Sequence, residues 1–285
     1  MPFVTTAAPL RFWKYEGTAN DFVIVEADDL TVALDDRLVS RLCDRHRGVG
    51  ADGVLVVGGP RNGAHARMIV RNADGSQPEM CGNGLRCVAL HVRALMRQEP
   101  PTRTLSIETD SGTKRCDVDL VGLDAALVTV DMGKIVVGRT HEIAFGGRTI
   151  RVTEADAGNP HAITFDALSE LELDTLGASL QRSTLFPSGV NLERVTDRAH
   201  DGPPILDVAV FERGVGRTLA CGTGACAVAA VAVARGIGRV HAPLSIALPG
   251  GTLEITLVCR GHAFMRGAAR RVFSGVFPRS IDGSA

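Results

Sequence analysis

Two cysteines carry the first chemical suggestion in this chain. Cys81 opens the run Cys81-Gly82-Asn83-Gly84 and Cys221 opens Cys221-Gly222-Thr223-Gly224, 140 residues further on. A second pair of related turns, Thr18-Ala19-Asn20-Asp21-Phe22 and Ala157-Gly158-Asn159-Pro160-His161, places Asn20 and Asn159 139 residues apart. The same two signals in the same order at nearly one offset mark an internal repeat. A thiol in the first turn of a helix lies beside unpaired backbone N–H groups, which favour the thiolate and bring its pKa below the free value of about 8.5. Such a thiol can act as a base near neutral pH, and an opposed second thiol can return the proton. The glycines let backbone approach a ligand closely, so the same N–H groups can hold a small carboxylate.

A single cysteine is ordinarily a small buried hydrophobe. Packing alone does not explain the whole Cys-Gly-x-Gly run recurring at equivalent places, so Cys81 and Cys221 are the candidate pair. Cys43, Cys87, Cys116, Cys226 and Cys259 are expected in cores. Zinc fits poorly, because neither Cys81…Cys87 nor Cys221…Cys226 has the C-x₂₋₄-C spacing that closes a tetrahedral site. A phosphate loop fits poorly too, since Gly222-Thr223-Gly224-Ala225-Cys226-Ala227 lacks the third glycine and the lysine. No C-x-x-C redox pair is present. Asn20, Asn72, Asn159, Asn191, Glu212 and Arg213 all sit in turn-like contexts, where asparagine is first of all a turn former. Asp28-Asp29 and Asp35-Asp36 read as solvated surface.

The elements that must position these residues are short. Aromatics make up 4% of the 285 residues while glycine supplies 32, so the core must be built from Val, Leu, Ile and Ala on a backbone that turns often. Runs at 22–25, 54–57, 66–70, 104–108, 126–130, 205–210 and 253–257 are rich in β-formers and bounded by turn residues, which predicts strands. Leu85, Val88, Ala89, Val92 and Leu95 follow helical spacing, with Glu99-Pro100-Pro101 as the stop. The second Cys-Gly turn leads into Ala225–Ala234, apolar on all sides, and a helix of that composition must be enclosed. Strands wrapped around a central helix, twice over, satisfy both halves. A composition shift near Val121-Gly122-Leu123 marks a boundary.

With 31 basic and 32 acidic residues, nothing argues for nucleic acid or an anionic membrane. The longest apolar run, ten residues, is well short of a membrane span. Met1–Leu10 shows no secretory pattern, and seven cysteines is an odd count for a disulfide framework, so a reducing cytoplasm is expected.

Taken together, these runs resemble the diaminopimelate epimerase family, cofactor-independent amino-acid epimerases that use two cysteines. The likeness extends nearly end to end. It includes Gly17-Thr18-Ala19-Asn20-Asp21-Phe22, Arg45-His46-Arg47-Gly48-Val49-Gly50-Ala51-Asp52-Gly53, Arg71-Asn72-Ala73-Asp74-Gly75-Ser76, Met80-Cys81-Gly82-Asn83-Gly84, Gly158-Asn159-Pro160-His161, Gly189-Val190-Asn191, Glu212-Arg213-Gly214-Val215-Gly216, Ala220-Cys221-Gly222-Thr223-Gly224 and Leu248-Pro249-Gly250-Gly251. The resemblance implies an α+β fold of two similar domains related by duplication. Each would be a barrel-like mixed sheet around a central helix, with the active site in the cleft between them. Residues 1–124 with 267–285 would form the first domain and 125–266 the second.

The resemblance further implies that Cys81 and Cys221 are the acid/base pair and that His161 and Glu212 support the thiols. Gly82, Asn83, Gly222 and Thr223 would hold the α-carboxylate. Asn20, Asn72, Asn159, Asn191 and Arg213 would line the pocket, most of them recognising the distal amino-carboxylate. The substrate would be diaminopimelate, with no cofactor, no metal, no nucleic acid and no membrane, and the assembly a homodimer. Three positions depart from the family pattern: Gly53 where some members carry Gln, Ala19 where many carry Gly, and Gly267-Ala268-Ala269 where Gly-Pro is common. Another cofactor-independent racemase of the same fold, or a non-catalytic amino-acid-binding module, are the alternative readings.

Overall fold

A computed structural model describes residues 9–30, 34–78, 80–96, 103–198 and 202–278. The chain divides into two compact units, residues 1–128 with 268–285 and residues 129–267. The proposed helix stop at Glu99-Pro100-Pro101 and most of the Met1–Leu10 segment lie outside the described residues.

The first unit runs β1 (Leu10–Gly17), β2 (Asn20–Glu26), α1 (Asp36–Cys43), β3 (Gly53–Gly58), β4 (Ala66–Asn72), α2 (Gly82–Leu95), β5 (Thr104–Thr109) and β6 (Gly112–Leu120). β7 (Ala125–Lys134) starts in this unit and carries the chain into the second. The second unit continues with β8 (Val136–Phe145), β9 (Arg148–Asp156), β10 (Pro160–Thr164), α3 (Glu170–Leu180), β11 (Asn191–Arg198), β12 (Ile205–Glu212), β13 (Gly216–Thr218), α4 (Gly222–Ala234), β14 (Pro243–Leu248) and β15 (Gly251–Val258). β16 (His262–Phe277) begins there and ends in the first unit.

The duplication is visible in the connectivity. In the first unit β2 and β3 pair in parallel across α1, and β4 and β5 pair in parallel across α2. In the second, β10 and β11 pair in parallel across α3, and β12 and β14 across α4. Strands run in the order β1-β2-β3-β4-β5-β6-β7-β16, and pairing of β16 with β1 closes that path into a ring. The second unit's order is β16-β15-β14-β12-β11-β10-β9-β8, with β13 on the flank of β12.

Each ring or curl wraps one helix, for the reason its composition demands. α2 packs against β1 to β6, and its residues Gly82–Val92 are buried. α4, whose Ala, Val and Cys positions are apolar all round, packs against β8, β9, β10, β11, β14 and β15, with Ala225–Ala232 wholly buried. The outer helices are amphipathic and capped by their own sequence. Asp35 accepts from Leu38 N to start α1, and Ser169 with Glu172 forms a capping box on α3. Each of the seven strand segments expected from composition lies within a strand. Phe22, Val23, Ile24 and Val25, for example, face Gly53 to Val56 across the β2–β3 ladder. No helix among the described residues is long and apolar enough to cross a membrane.

Candidate active site

Both central helices begin in the same way. Cys81 caps α2 from extended backbone (φ −135°), and its Sγ accepts from Gly84 N at 3.4 Å. Cys221 caps α4 at φ −130°, its Sγ accepting from Gly224 N at 3.4 Å. In each case sulfur takes the place of the Ser or Asp oxygen of an ordinary N-cap and points its lone pairs at the orphan N–H groups. Gly82 and Gly222 are buried in those first turns.

In the first unit the structure joins three of the expected residues. Asn83 lies two positions after Cys81 and donates through Nδ2 to Asn20 Oδ1 at 3.2 Å. Asn20 in turn donates to Asp52 Oδ2 at 2.6 Å, and Arg45 bridges Asp52 and Asp21. The Asn83 amide is fixed from its other side by Arg86, a wholly buried guanidinium that donates to Asn83 Oδ1 at 3.0 Å, to Thr18 Oγ1 at 2.6 Å and to the Ala268 carbonyl at 3.2 Å. Asn72 is exposed, stands opposite Gly53 on the β3–β4 ladder and donates to Ser76 Oγ within its own turn. Thr18 and Ala19 both adopt left-handed backbone (φ 59° and 56°), so two residues with side chains occupy a strained turn.

In the second unit His161 is the hub. Its Nδ1 lies 2.7 Å from Glu193 Oε1 and its Nε2 lies 3.0 Å from Asn159 Oδ1. Both members of the His161–Glu193 pair are fully buried, and the second oxygen of Glu193 has no hydrogen-bond partner. Asn191 accepts the Arg213 N–H at 2.8 Å and donates to the Pro160 carbonyl at 3.2 Å. The exposed Arg213 side chain reaches the Ser188 carbonyl, Glu212 accepts from Thr218 Oγ1, and Thr223 Oγ1 lies 3.5 Å from Cys221 Sγ.

Two expectations need correction. A helix N-terminus alone would make Cys221 acidic. Instead burial pushes its thiol well above the ordinary value, and the charges of Glu212 and Glu193 add to the shift, while Thr223 and Gly224 N–H pull the other way. Desolvation and two carboxylates outweigh the helix terminus. Cys259 is not a core residue but exposed, with Sγ 3.5 Å from His241 Nε2, whereas Cys43, Cys87, Cys116 and Cys226 are buried as expected. Of the acidic pairs, Asp35 caps α1 and Asp29 holds Arg11.

Sequence reasoning passed over Glu193, Arg86 and Asp52 as site residues. Alternation along a strand puts residue 193 on the same face as Asn191, which was a usable signal. A separate concavity on the second unit, lined among others by Arg194, Arg198 and Arg217, contains none of the expected residues, and these three arginines are already paired with Glu170, Asp174 and Asp207.

The family model for diaminopimelate epimerase matches residues 12–137 and 153–272. A diaminopimelate epimerase of Cyanothece sp. is 37% identical over 286 residues, covering 94% of this chain and 99% of the relative. The chloroplastic diaminopimelate epimerase of Oryza sativa subsp. japonica is 37% identical over 293 residues, covering 93% of this chain and 79% of the relative. Among solved structures, a phenazine biosynthesis protein of the PhzF family from Bacillus anthracis superposes with a TM-score of 0.71 over 95% of this chain and 99% of that one, at 15% identity, a likeness of fold.

Proposed function

Because the chain belongs to the diaminopimelate epimerase family and is therefore an isomerase, we propose that it interconverts LL- and meso-diaminopimelate by exchanging the α-proton between Cys81 and Cys221. The observation that carries this reading is the matched pair of cysteine N-caps, each with its Sγ 3.4 Å from the N–H three residues on. Inversion requires a base on one face of the α-carbon and an acid on the other. One thiolate takes the proton, the electron pair passes into the α-carboxylate as an enediolate-like charge, and the other thiol delivers a proton to the opposite face.

That charge would be held by the backbone N–H groups of Gly82, Asn83, Gly222 and Thr223. A helix dipole contributes about 0.3–1 kcal/mol, up to about 2, whereas one well-aimed N–H donor is worth about 3–4 kcal/mol in other enzymes. Aimed hydrogen bonds therefore matter more than the diffuse field. Asn20, Asn72, Asn159, Asn191 and Arg213 line the pocket, most of them recognising the distal amino-carboxylate end, while His161 and Glu212 support the thiols. The reaction needs no cofactor. Its product serves lysine and cell-wall precursor synthesis, and the enzyme works as a cytoplasmic homodimer with residues 1–124 plus 267–285 and 125–266 as its two domains.

The test is an NMR time course of the reduced protein with LL-diaminopimelate in D2O. Deuterium at the α-carbon of the meso product is the expected result. Absence of exchange with diaminopimelate, alongside exchange of proline or alanine, would replace this substrate with another.

A further inference from the structure

Because the two units are copies, residues at matching places can be compared directly. The β2–β3 ladder sets Phe22 opposite Gly53, and the β10–β11 ladder sets His161 opposite Asn191. With Asn20 and Asn159 as the matched turns, Phe22 corresponds to His161, Gly53 to Asn191 and Leu55 to Glu193. Leu55 and Glu193 then hold the same station, beneath the third residue of the central helix. A Cβ built on Gly84 would lie 3.0 and 3.2 Å from the methyls of Leu55, and a Cβ built on Gly224 would lie 2.5 Å from Glu193 Oε1. One thiol-capped turn rests on hydrocarbon and the other on a buried carboxylate.

The carboxylate is held in place. Glu193 is fully buried, its Oε1 is engaged by His161 Nδ1 at 2.7 Å, and its Oε2 has no partner. An unpartnered buried oxygen is costly. The carboxylate lies next to the turn that bears Cys221: the same Cβ built on Gly224 would lie 3.2 Å from Cys221 Sγ. Glu193 from β11, with His161 from β10 held on it, and Glu212 from β12 face Cys221; the two carboxylates push its thiol up, and its own helix answers with Thr223 and the Gly224 N–H. Nothing at the Leu55 station can act on Cys81 in this way.

Resting on the epimerase reading, we propose that Glu193 is a positioning residue of the reaction: it seats His161 and keeps the proton on Cys221 in the free enzyme, so that Cys81 is the resting base. In the first half-turnover Cys81 thiolate accepts the α-proton and Cys221 thiol donates its own. Substrate of the opposite configuration requires the reverse distribution, which the resting enzyme reaches only by first moving a proton from Cys221 to Cys81. The two thiols are thus alike in geometry and unlike in resting charge.

The experiment is site-resolved alkylation of the reduced full-length protein with iodoacetamide, followed by mass spectrometry between pH 6 and 10. In the unaltered protein the pH midpoint of labelling at Cys221 is expected above that at Cys81. Glu193→Gln keeps the size and the acceptor for His161 but removes the charge. It is expected to raise labelling of Cys221 at pH 8 by about tenfold, the size of one pKa unit, and to leave Cys81 unchanged. Glu193→Asp, which keeps the charge, is expected to restore most of the original midpoint. A Cys81 midpoint at or above that of Cys221 in the unaltered protein overturns the proposal, as does a Cys221 midpoint indifferent to Glu193→Gln. The labelling needs no substrate, so its result stands apart from the exchange experiment that tests the reaction.

Discussion

The first turn of α2 and the first turn of α4 are nearly superimposable in sequence, cap and hydrogen bond, yet they sit in opposite chemical surroundings. The first turn of α2 rests on Leu55 and carries Asn83 and, five residues after Cys81, the buried cation Arg86, which ties Asn83 to Thr18 and the Ala268 carbonyl. At the position matching Arg86 the second unit has Cys226, and its polar weight lies instead in His161, Glu193 and Glu212. Duplication supplied two equal thiol cradles, and divergence of a few buried side chains made them unequal.

The comparison can be broken or sharpened by substitution. Its equal part is tested most severely by Cys81→Ala and Cys221→Ala, each expected to lower epimerisation at least 10³-fold, in keeping with loss of an acid/base group. Near-normal turnover in either one, followed by α-deuterium incorporation, would end the two-thiol scheme. The unequal part is tested next by removing Arg86. Arg86→Met strands the buried acceptors Asn83 Oδ1 and Thr18 Oγ1 and is expected to cost about 3 kcal/mol or more in urea unfolding. Cys226→Ala, at the matching place, should cost about 1 kcal/mol. Equal costs would mean that the guanidinium does not organise the first cradle.

Glycine substitutions probe the stations below the helices. Gly224→Ala drives a methyl against the held Glu193 carboxylate and is expected to destabilise by about 1–3 kcal/mol, whereas Gly84→Ala meets Leu55 methyls that can shift, with an effect under about 1 kcal/mol. Thermal melts of the two variants order them. The smallest effect concerns acid. Burial raises the Asp21 carboxyl, but hydrogen bonds and charge from Arg45 and Lys14 outweigh it and hold the group down at about 2. A carboxylate depressed in the folded state stabilises above its unfolded pKa near 4, and that contribution is lost as pH falls through 2. Pro160 stands at the matching position and has no such term. Asp21→Asn should therefore lower stability at pH 7 by about 1 kcal/mol after solvent screening and flatten the loss between pH 4 and 2. A variant with the same acid profile as the unaltered protein would remove Asp21 from that account.

Much of the organisation was legible in the residues. The repeated Cys-Gly-x-Gly run, the alanine-rich segment that had to be enclosed and the strand runs flanked by turns all rest on local periodicity, which a linear chain displays openly. Less regular strands were not visible. β8 has mostly exposed side chains and β16 runs for sixteen residues through two units, so neither shows the clean alternation of a half-buried strand. Cys259 could not be told from its buried fellows, because nothing local distinguishes a thiol on an exposed turn from one in a core.

What the sequence determined by itself was the duplication, the two thiols at equivalent helix starts and the residue types that turn around them. The tertiary structure decided what surrounds Cys221 and pushes its thiol up. A helix terminus acts within one turn and can be read from neighbouring residues. The opposing terms, desolvation of Cys221 and the charges of Glu193 and Glu212, come from strands 28 and 9 residues away in the chain and exist only once those strands close over α4.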